Sequence, residues 1–210
     1  MNDVEVLEVF ALFYRRCDER DWMRLSDQRT WQRFLRSVQQ SSGPASSTGN
    51  LLKIPVSLKT PPTYREFRNF ADSHFVGGLF SSVVAVESLY RAWTSLPDRQ
   101  LVFDSLQGFY DSDSAAHMRY LYKSLGIDVA AHSLLPPDHL SLLLSFLGLL
   151  LENARPRDIH TFIDEHLDWI GNLLHTIRAC QNPPDWMIAI TELLIAYLEN
   201  IKNRVLVRVR

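Results

Sequence analysis

The sequence Leu134-Leu135-Pro136-Pro137-Asp138-His139, together with the apolar run 140–151 that follows it, decides the fold of this chain. Two consecutive prolines cannot lie inside a helix, because each lacks an N–H and pushes the preceding residue toward extended geometry. The chain must therefore break here. Asp138 stands where a short carboxylate caps or charges the start of a helix. A new helix is predicted directly after the break.

The run 140–151 is interrupted only by small or polar residues, and Glu152 follows it. Ser141, Ser145, Gly148 and Glu152 fall at i, i+4, i+7 and i+11, which is one narrow stripe along a helix. The remaining positions are Leu or Phe, so the pattern predicts a core helix that is buried on nearly every side. The run is too short for a membrane span, which needs about 20 apolar residues.

The Pro-Pro-Asp-His-Leu motif at the start of this helix resembles the signature of the TorD-type and DmsD-type chaperones. Three more segments resemble elements of that family in the same order. They are 86–93 (Val-Glu-Ser-Leu-Tyr-Arg-Ala-Trp), 118–127, which ends in Gly-Ile, and 162–169 (Phe-Ile-Asp-Glu-His-Leu-Asp-Trp). Members of the family are cytoplasmic maturation factors for exported molybdenum enzymes. The resemblance implies an all-α, TorD-like fold of two helical lobes joined by a hinge.

The composition is that of an ordinary soluble globular chain. Of its 210 residues, 46% are hydrophobic and 22% are charged, with a net charge of -2. This balance argues against nucleic acid as the main partner, because phosphate binding needs a concentrated basic face. The twin arginine Arg15-Arg16 is followed by acidic residues instead of the apolar segment of an export signal. Cys17 and Cys180 lie far apart in sequence and are predicted to be reduced thiols of a cytosolic protein.

Apolar residues at three-residue and four-residue spacing predict helices along most of the chain, whereas strand signals are almost absent. Besides the core helix, helices are predicted at about 3–17, from Asp27 to 41, from Thr63 with a capping box, at 79–86, from Pro97 to Phe109, from Met118 to a cap at Gly126, from Arg155-Pro156 through Ile163, at 170–177, and from Trp186 to Ile201. The resulting division is an N-terminal lobe 1–130 with a mobile loop at about 41–62, a hinge 131–138, a C-terminal lobe 139–203 and a frayed tail 204–210.

The hinge carries the first group of candidate binding residues. Asp138 alone is predicted to be a helix cap, and His139 a first-turn residue. The resemblance implies that this dyad, with Pro136 and Pro137, helps to bind the signal peptide of a client. Leu135 stands where related proteins often have an acidic residue, so this chain lacks that carboxylate.

A second group comprises Glu87, Tyr90 and Trp93, which are spaced three residues apart and would share one helical face. They form either a core face with a surface Glu, or a pocket wall whose aromatics receive an apolar peptide while the carboxylate binds a cation. Asp111 and Asp113 are weaker candidates of the same kind, since Asp is also a common turn former.

Catalytic motifs such as a phosphate loop, a nucleophile elbow, HExxH or CxxC are absent from the sequence. His160 and Asp164 lie four apart, with Glu165 and His166 next to them, so a metal site is conceivable. No further ligand appears at matching spacing, and solvated charge pairs explain the same residues. The sequence therefore predicts neither an enzyme nor a cofactor.

The function favoured by the resemblance is a cytoplasmic chaperone that binds the twin-arginine signal peptide and the apo form of a molybdopterin oxidoreductase subunit. The protein would be a monomer or a lobe-swapped dimer, without a nucleic acid partner or a membrane span. Two alternatives stay open. One is a small helical metal-dependent enzyme, and the other is a structural assembly subunit of a reductase complex.

Overall fold

The computed structural model describes residues 1–40, 53–75, 82–92, 108–129 and 134–207, and within these ranges the regular structure is helical. Two short 3-10 helices, Val56–Leu58 and Glu87–Leu89, accompany the α-helices, and Val86 forms an isolated antiparallel bridge with His139. The all-α fold is confirmed. The α-helices are α1 (Asp3–Leu12), α2 (Glu19–Ser26), α3 (Gln28–Gln40), α4 (Tyr64–His74), α5 (Asp113–Ser124), α6 (Leu140–Asn153), α7 (Pro156–His166), α8 (Ile170–Ala179) and α9 (Asp185–Val207).

Helix α6 is the central core helix that its composition predicts, and α1 packs along it. The stripe of small residues on α6 contributes to this contact. A Cβ built on Gly148 would lie only 3.3 Å from Cγ1 of Val4, so the absence of a side chain lets the two helices approach closely. Ser141, on the same stripe, is buried as well, whereas Leu149 is 37% exposed.

The hydrophobic core is one contiguous cluster that draws side chains from α1 through α9. Aromatic rings fill its N-terminal part, where Trp22 stacks on Phe67 with ring centroids 4.1 Å apart. The indole N–H groups of Trp22 and Trp31 donate to the carbonyls of Pro62 and Leu58. Residues from both sides of the proposed hinge 131–138 belong to this one cluster, so the core does not separate into two parts at the hinge. The division into two lobes therefore stays a prediction.

Several predicted boundaries are corrected by the structure. Helix α1 ends at Leu12 instead of continuing to Cys17, and α2 was not predicted, because its only buried side chains are Trp22 and Leu25. The predicted helix 79–86 is absent over 82–86, where residues 82–85 have no regular secondary structure and Val86 is extended, in keeping with the β-branched side chains of Val83, Val84 and Val86; residues 79–81 lie outside the described residues. Helix α5 begins at Asp113, five residues before the predicted start at Met118.

Two predicted flexible segments are partly ordered. Leu58, within the predicted mobile loop 41–62, is fully buried, so residues 53–62 pack on the core, and 41–52 lie outside the described residues. The predicted tail 204–210 is wrong over 204–207, because α9 continues to Val207 and Arg204 lies 2.9 Å from a carboxylate oxygen of Asp3. The predicted helix starting at Pro97 falls outside the described residues up to 107.

Other predictions hold in detail. Thr63 forms the capping box with Glu66, and Gly126 has the positive φ of 69° expected of a helix-terminating glycine. Among the described residues, no helix combines the length and the apolar character needed to cross a membrane.

Candidate functional site

The Pro-Pro-Asp-His turn is joined to the segment 82–89 by backbone hydrogen bonds. Leu140 N–H donates to the carbonyl of Ala85 at 2.8 Å, and Glu87 N–H donates to the carbonyl of Asp138 at 3.1 Å. These bonds flank the bridge between Val86 and His139. Residues 85–88 and 138–140 therefore lie side by side at the start of α6, and we call this pair of segments the seam.

Asp138 is fully buried in this seam and does not cap α6, so the cap prediction is wrong for this residue. Its Oδ2 atom accepts the backbone N–H of Ser88 at 2.8 Å and also the Ser88 hydroxyl. The hydroxyl of Ser112 in turn donates to Oγ of Ser88 at 2.8 Å. The other oxygen, Oδ1, is buried and accepts no hydrogen bond from the residues that the structure describes. The carboxylate thus links two segments that are 50 residues apart through Oδ2, while Oδ1 remains able to accept a further hydrogen bond.

His139 is the residue that caps α6. Its Nδ1 atom accepts the backbone N–H of Ser141 at 3.2 Å and lies 2.9 Å from the Ser141 hydroxyl oxygen. Burial, with a smaller contribution from the positive charge of Arg15, lowers the pKa of His139 to about 4. The imidazole is therefore neutral at physiological pH.

An apolar cavity of about 580 Å³ opens beside the two prolines. Pro137 lines it together with Tyr122, whose hydroxyl donates to the Pro137 carbonyl at 3.0 Å. Burial and the negative charge of Asp138 raise the pKa of Tyr122, so its hydroxyl stays protonated. Pro136 is half-buried nearby. The remaining lining residues are Arg119, Lys123, Gly126, Ile127, Asp128, Val129, Leu134 and Leu135.

Glu87 is not the surface carboxylate of a helical face. It lies in the 3-10 helix Glu87–Leu89, is fully buried, and is already paired with groups of the same chain. Its Oε1 lies 2.6 Å from Nε of Arg91, and its Oε2 lies 2.9 Å from Nδ1 of His166. Arg91 also contacts the carboxylate of Asp168, which is exposed. The cation that Glu87 binds here is thus the chain's own Arg91.

Tyr90 is half-buried and stacks on Trp169, with ring centroids 5.0 Å apart and planes inclined by 20°. Burial raises the pKa of Tyr90 to about 12. The indole N–H of Trp169 donates to the carbonyl of His166, which fixes the stack at the end of α7. The structure therefore brings Tyr90 to Glu87 by a turn instead of a helical face, and Trp93 lies outside the described residues.

A second cavity of about 660 Å³ lies next to this network. It is lined by Tyr90, Arg91, Ala92, Asp113, Ser114, His117, Glu165 and His166. Nε2 of His166 lies 2.9 Å from Nδ1 of His117. Burial and the neighbouring His166 lower the pKa of His117, an effect that the carboxylates Glu165 and Glu87 partly oppose. Of the two weaker candidates, Asp113 lines the cavity, while Asp111 adopts a left-handed turn conformation and pairs with Arg119.

The metal site conceivable from sequence, made of His160, Asp164, Glu165 and His166, does not form in the structure. His160 pairs with Asp164 at 2.9 Å, and Asp164 also binds Lys202, as the interpretation of solvated charge pairs expects. His166 turns instead toward Glu87 and His117. Sequence reasoning missed Ser88, Ser112 and His117. Ser88 and His117 lie within or close to the segments that carry the resemblance, but no spacing rule links them to Asp138 or His166.

Comparison with known proteins identifies the family. A family model described as nitrate reductase delta subunit matches residues 65–175, which is more than half of the chain. No curated protein and no solved structure gives a match. The matched range contains the seam, the turn and the network around Glu87. It also agrees with the resemblance to TorD-type proteins. The chain therefore belongs to the nitrate reductase delta subunit family, a family of maturation chaperones for molybdoenzymes.

Proposed function

We propose that the chain is a cytoplasmic chaperone that binds the twin-arginine signal peptide of a molybdopterin oxidoreductase precursor. It holds the apo form of the catalytic subunit, assists its folding and cofactor insertion, and delays its export until these are complete. Family membership gives the maturation role, which is a chaperone role and not a catalytic one. What we propose beyond family membership is that the chain binds the signal peptide, acts in the cytoplasm and delays export of the immature subunit.

The observation that carries this proposal is that Asp138 is buried with one carboxylate oxygen, Oδ1, that accepts no hydrogen bond from the described residues. A buried carboxylate oxygen without a hydrogen bond is costly, roughly 1–3 kcal/mol or more for a charged group. Such an acceptor is suited to a donor brought by a partner, and a guanidinium offers five N–H groups in a planar fork. Oδ1 of Asp138 is such an acceptor. Since Asp138 is fully buried, the turn 134–138 must move before a client arginine reaches it.

The apolar cavity supports the same occupant. A twin-arginine leader places an apolar stretch after its arginines, and recognition of such a peptide requires carboxylates beside an apolar groove. Pro137, Ile127 and Leu135 line the cavity next to the Asp138 turn. Leu134, at its edge, is completely exposed in the free protein, so covering it would contribute to binding.

The alternatives have less support. A structural subunit of a reductase would copurify with the mature enzyme, whereas a chaperone copurifies with the precursor. An enzyme would require a substrate turned over by the purified protein, and the family is not a catalytic one. The precursor that copurifies with the protein from its own cytoplasm, with and without its leader, therefore distinguishes these functions.

Titration calorimetry with leader peptides from molybdoenzyme precursors of the same organism tests the proposal directly. We expect a Kd in the micromolar range or tighter, and a loss of binding when both arginines of the leader are replaced by lysine, because lysine cannot form the bidentate bond. Asp138→Asn should weaken binding by about 1.5–3 kcal/mol. Asp158→Asn is the matched control, since that carboxylate pairs with Arg155 on the surface. No heat with any leader would overturn the proposal.

A further inference from the structure

We propose that His117, Glu165 and His166 form a binding site for a divalent transition metal ion of the zinc class at the edge of the 660 Å³ cavity. One candidate ligand atom from each of these side chains lies within 4.8 Å of the others. Sequence spacing cannot show the site, because His117 comes from α5 while the other two residues end α7. The proposal does not depend on the bound peptide.

His166 has the environment of a metal ligand. Its ring is buried, and its Nδ1 lies 2.9 Å from Oε2 of Glu87, which is fully buried. A carboxylate can only accept, so Nδ1 carries a proton, and Nε2, which faces His117, is the nitrogen whose lone pair can bind a metal. A histidine that donates one ring N–H to a carboxylate and turns its other nitrogen to the metal is the usual arrangement in protein metal sites. Glu87 would therefore orient and strengthen this ligand.

His117 and Glu165 complete the donor set from the cavity side. Both are exposed, so their side chains can adjust while His166 stays fixed. Nδ1 of His117 lies 2.9 Å from Nε2 of His166. Two nitrogens bound to one tetrahedral zinc, each at about 2.0–2.1 Å, lie roughly 3.3–3.4 Å apart. If the distance between these two nitrogens increased by about 0.4 Å, and the proton of His117 moved from Nδ1 to Nε2, the ion could bind between them.

The charge of the surroundings favours a divalent cation. Among the described residues at this end of the cavity, the carboxylates of Glu87, Asp113, Glu165 and Asp168 outnumber the one guanidinium, that of Arg91. Two imidazoles and a carboxylate suit zinc and similar ions, whereas magnesium and calcium prefer all-oxygen sites. Three protein ligands leave a fourth position open toward the cavity, for water or for a donor from a client. The bound ion would join α5 to the end of α7 beside the Tyr90–Trp169 stack.

Zinc binding by tag-free, chelator-treated full chain tests the inference. We expect one zinc ion per chain after dialysis, measured by elemental analysis, and a rise in melting temperature on adding zinc. Co²⁺ should give the visible d–d bands of a four-coordinate site. His117→Ala and Glu165→Gln, which change exposed side chains, should each weaken zinc binding at least 10-fold and remove the cobalt bands.

His160→Ala is the matched control, because it removes an imidazole from the same helix without touching the three ligands, and it should bind zinc like the parent. The inference is overturned if the parent binds no zinc, or if zinc binding by the His117→Ala protein equals that of the parent. Circular dichroism of each variant verifies that the helices are intact. Leader binding measured with and without zinc is a separate readout, so failure of the metal site leaves the proposed function standing.

Discussion

Asp138→Asn is the change that most directly tests how the seam is built. The substitution keeps the size of the side chain and one oxygen acceptor, but removes the charge. In the parent, Oδ2 accepts two hydrogen bonds, from the N–H of Ser88 at 2.8 Å and from its hydroxyl. Hydrogen bonds to a charged acceptor contribute about 1.5–3 kcal/mol, and neutral ones about 0.5–1.5 kcal/mol. The variant therefore loses about 1 kcal/mol for each bond.

Two further effects act in opposite directions. The new NH₂ group would occupy the position of Oδ1, where the described residues provide no hydrogen bond, and an unsatisfied buried donor costs roughly 1–3 kcal/mol. Removing a buried charge relieves part of its desolvation cost. We expect a net loss of about 1–3 kcal/mol in the free energy of unfolding. For a chain of this size the melting temperature should fall by about 2–12 °C.

Urea unfolding followed by circular dichroism measures this loss, and Ser88→Ala is the matched partner change. It removes the hydroxyl but leaves the backbone N–H, so the double variant should show a coupling energy above about 0.5 kcal/mol. An Asp138→Asn protein within about 0.5 kcal/mol of the parent, with additive effects in the double variant, would refute the anchoring role. Leader affinity is then compared under conditions where both proteins are folded.

Three other changes probe the rest of the site and the core. His139 has a folded pKa of about 4, below its unfolded value of about 6.5, so the unfolded state takes up the proton first and stability falls between pH 6.5 and pH 4. His139→Asn keeps a capping side chain but removes the titrating ring, so the drop in unfolding free energy from pH 7 to pH 5 should be about 2 kcal/mol smaller than in the parent. In the control His175→Asn, which changes an exposed histidine, this drop should match that of the parent. Glu87→Ala should cost about 1–3 kcal/mol in urea unfolding, because it leaves the buried Nδ1–H of His166 without its acceptor while Arg91 keeps its pairing with Asp168, whereas Asp168→Ala at the exposed end of the same network should cost less than about 1 kcal/mol. Leu143→Ala, in the fully buried face of α6, should cost about 2–5 kcal/mol yet leave the leader affinity of the folded fraction unchanged, as calorimetry below its melting transition would show.

The sequence by itself determined most of the local structure. Helix α6 was predictable because a double proline stops the preceding chain and because the Leu and Phe residues that dominate the run after it favour burial. The capping box at Thr63 and the glycine at 126 were predictable because caps depend on residues only a few positions apart. The four resembling segments also indicated the family that the comparison then identified.

Only the tertiary structure decided which groups meet. Asp138 looks like a cap in sequence, yet Ser88, 50 residues earlier, takes its carboxylate and leaves the cap to His139. Glu87 looks like a surface acid, yet it is buried against Arg91 and His166. The physical reason is that a side-chain hydrogen bond or ion pair depends on a distance of about 3 Å in space. Packing of distant helices sets that distance, and local periodicity carries no information about it.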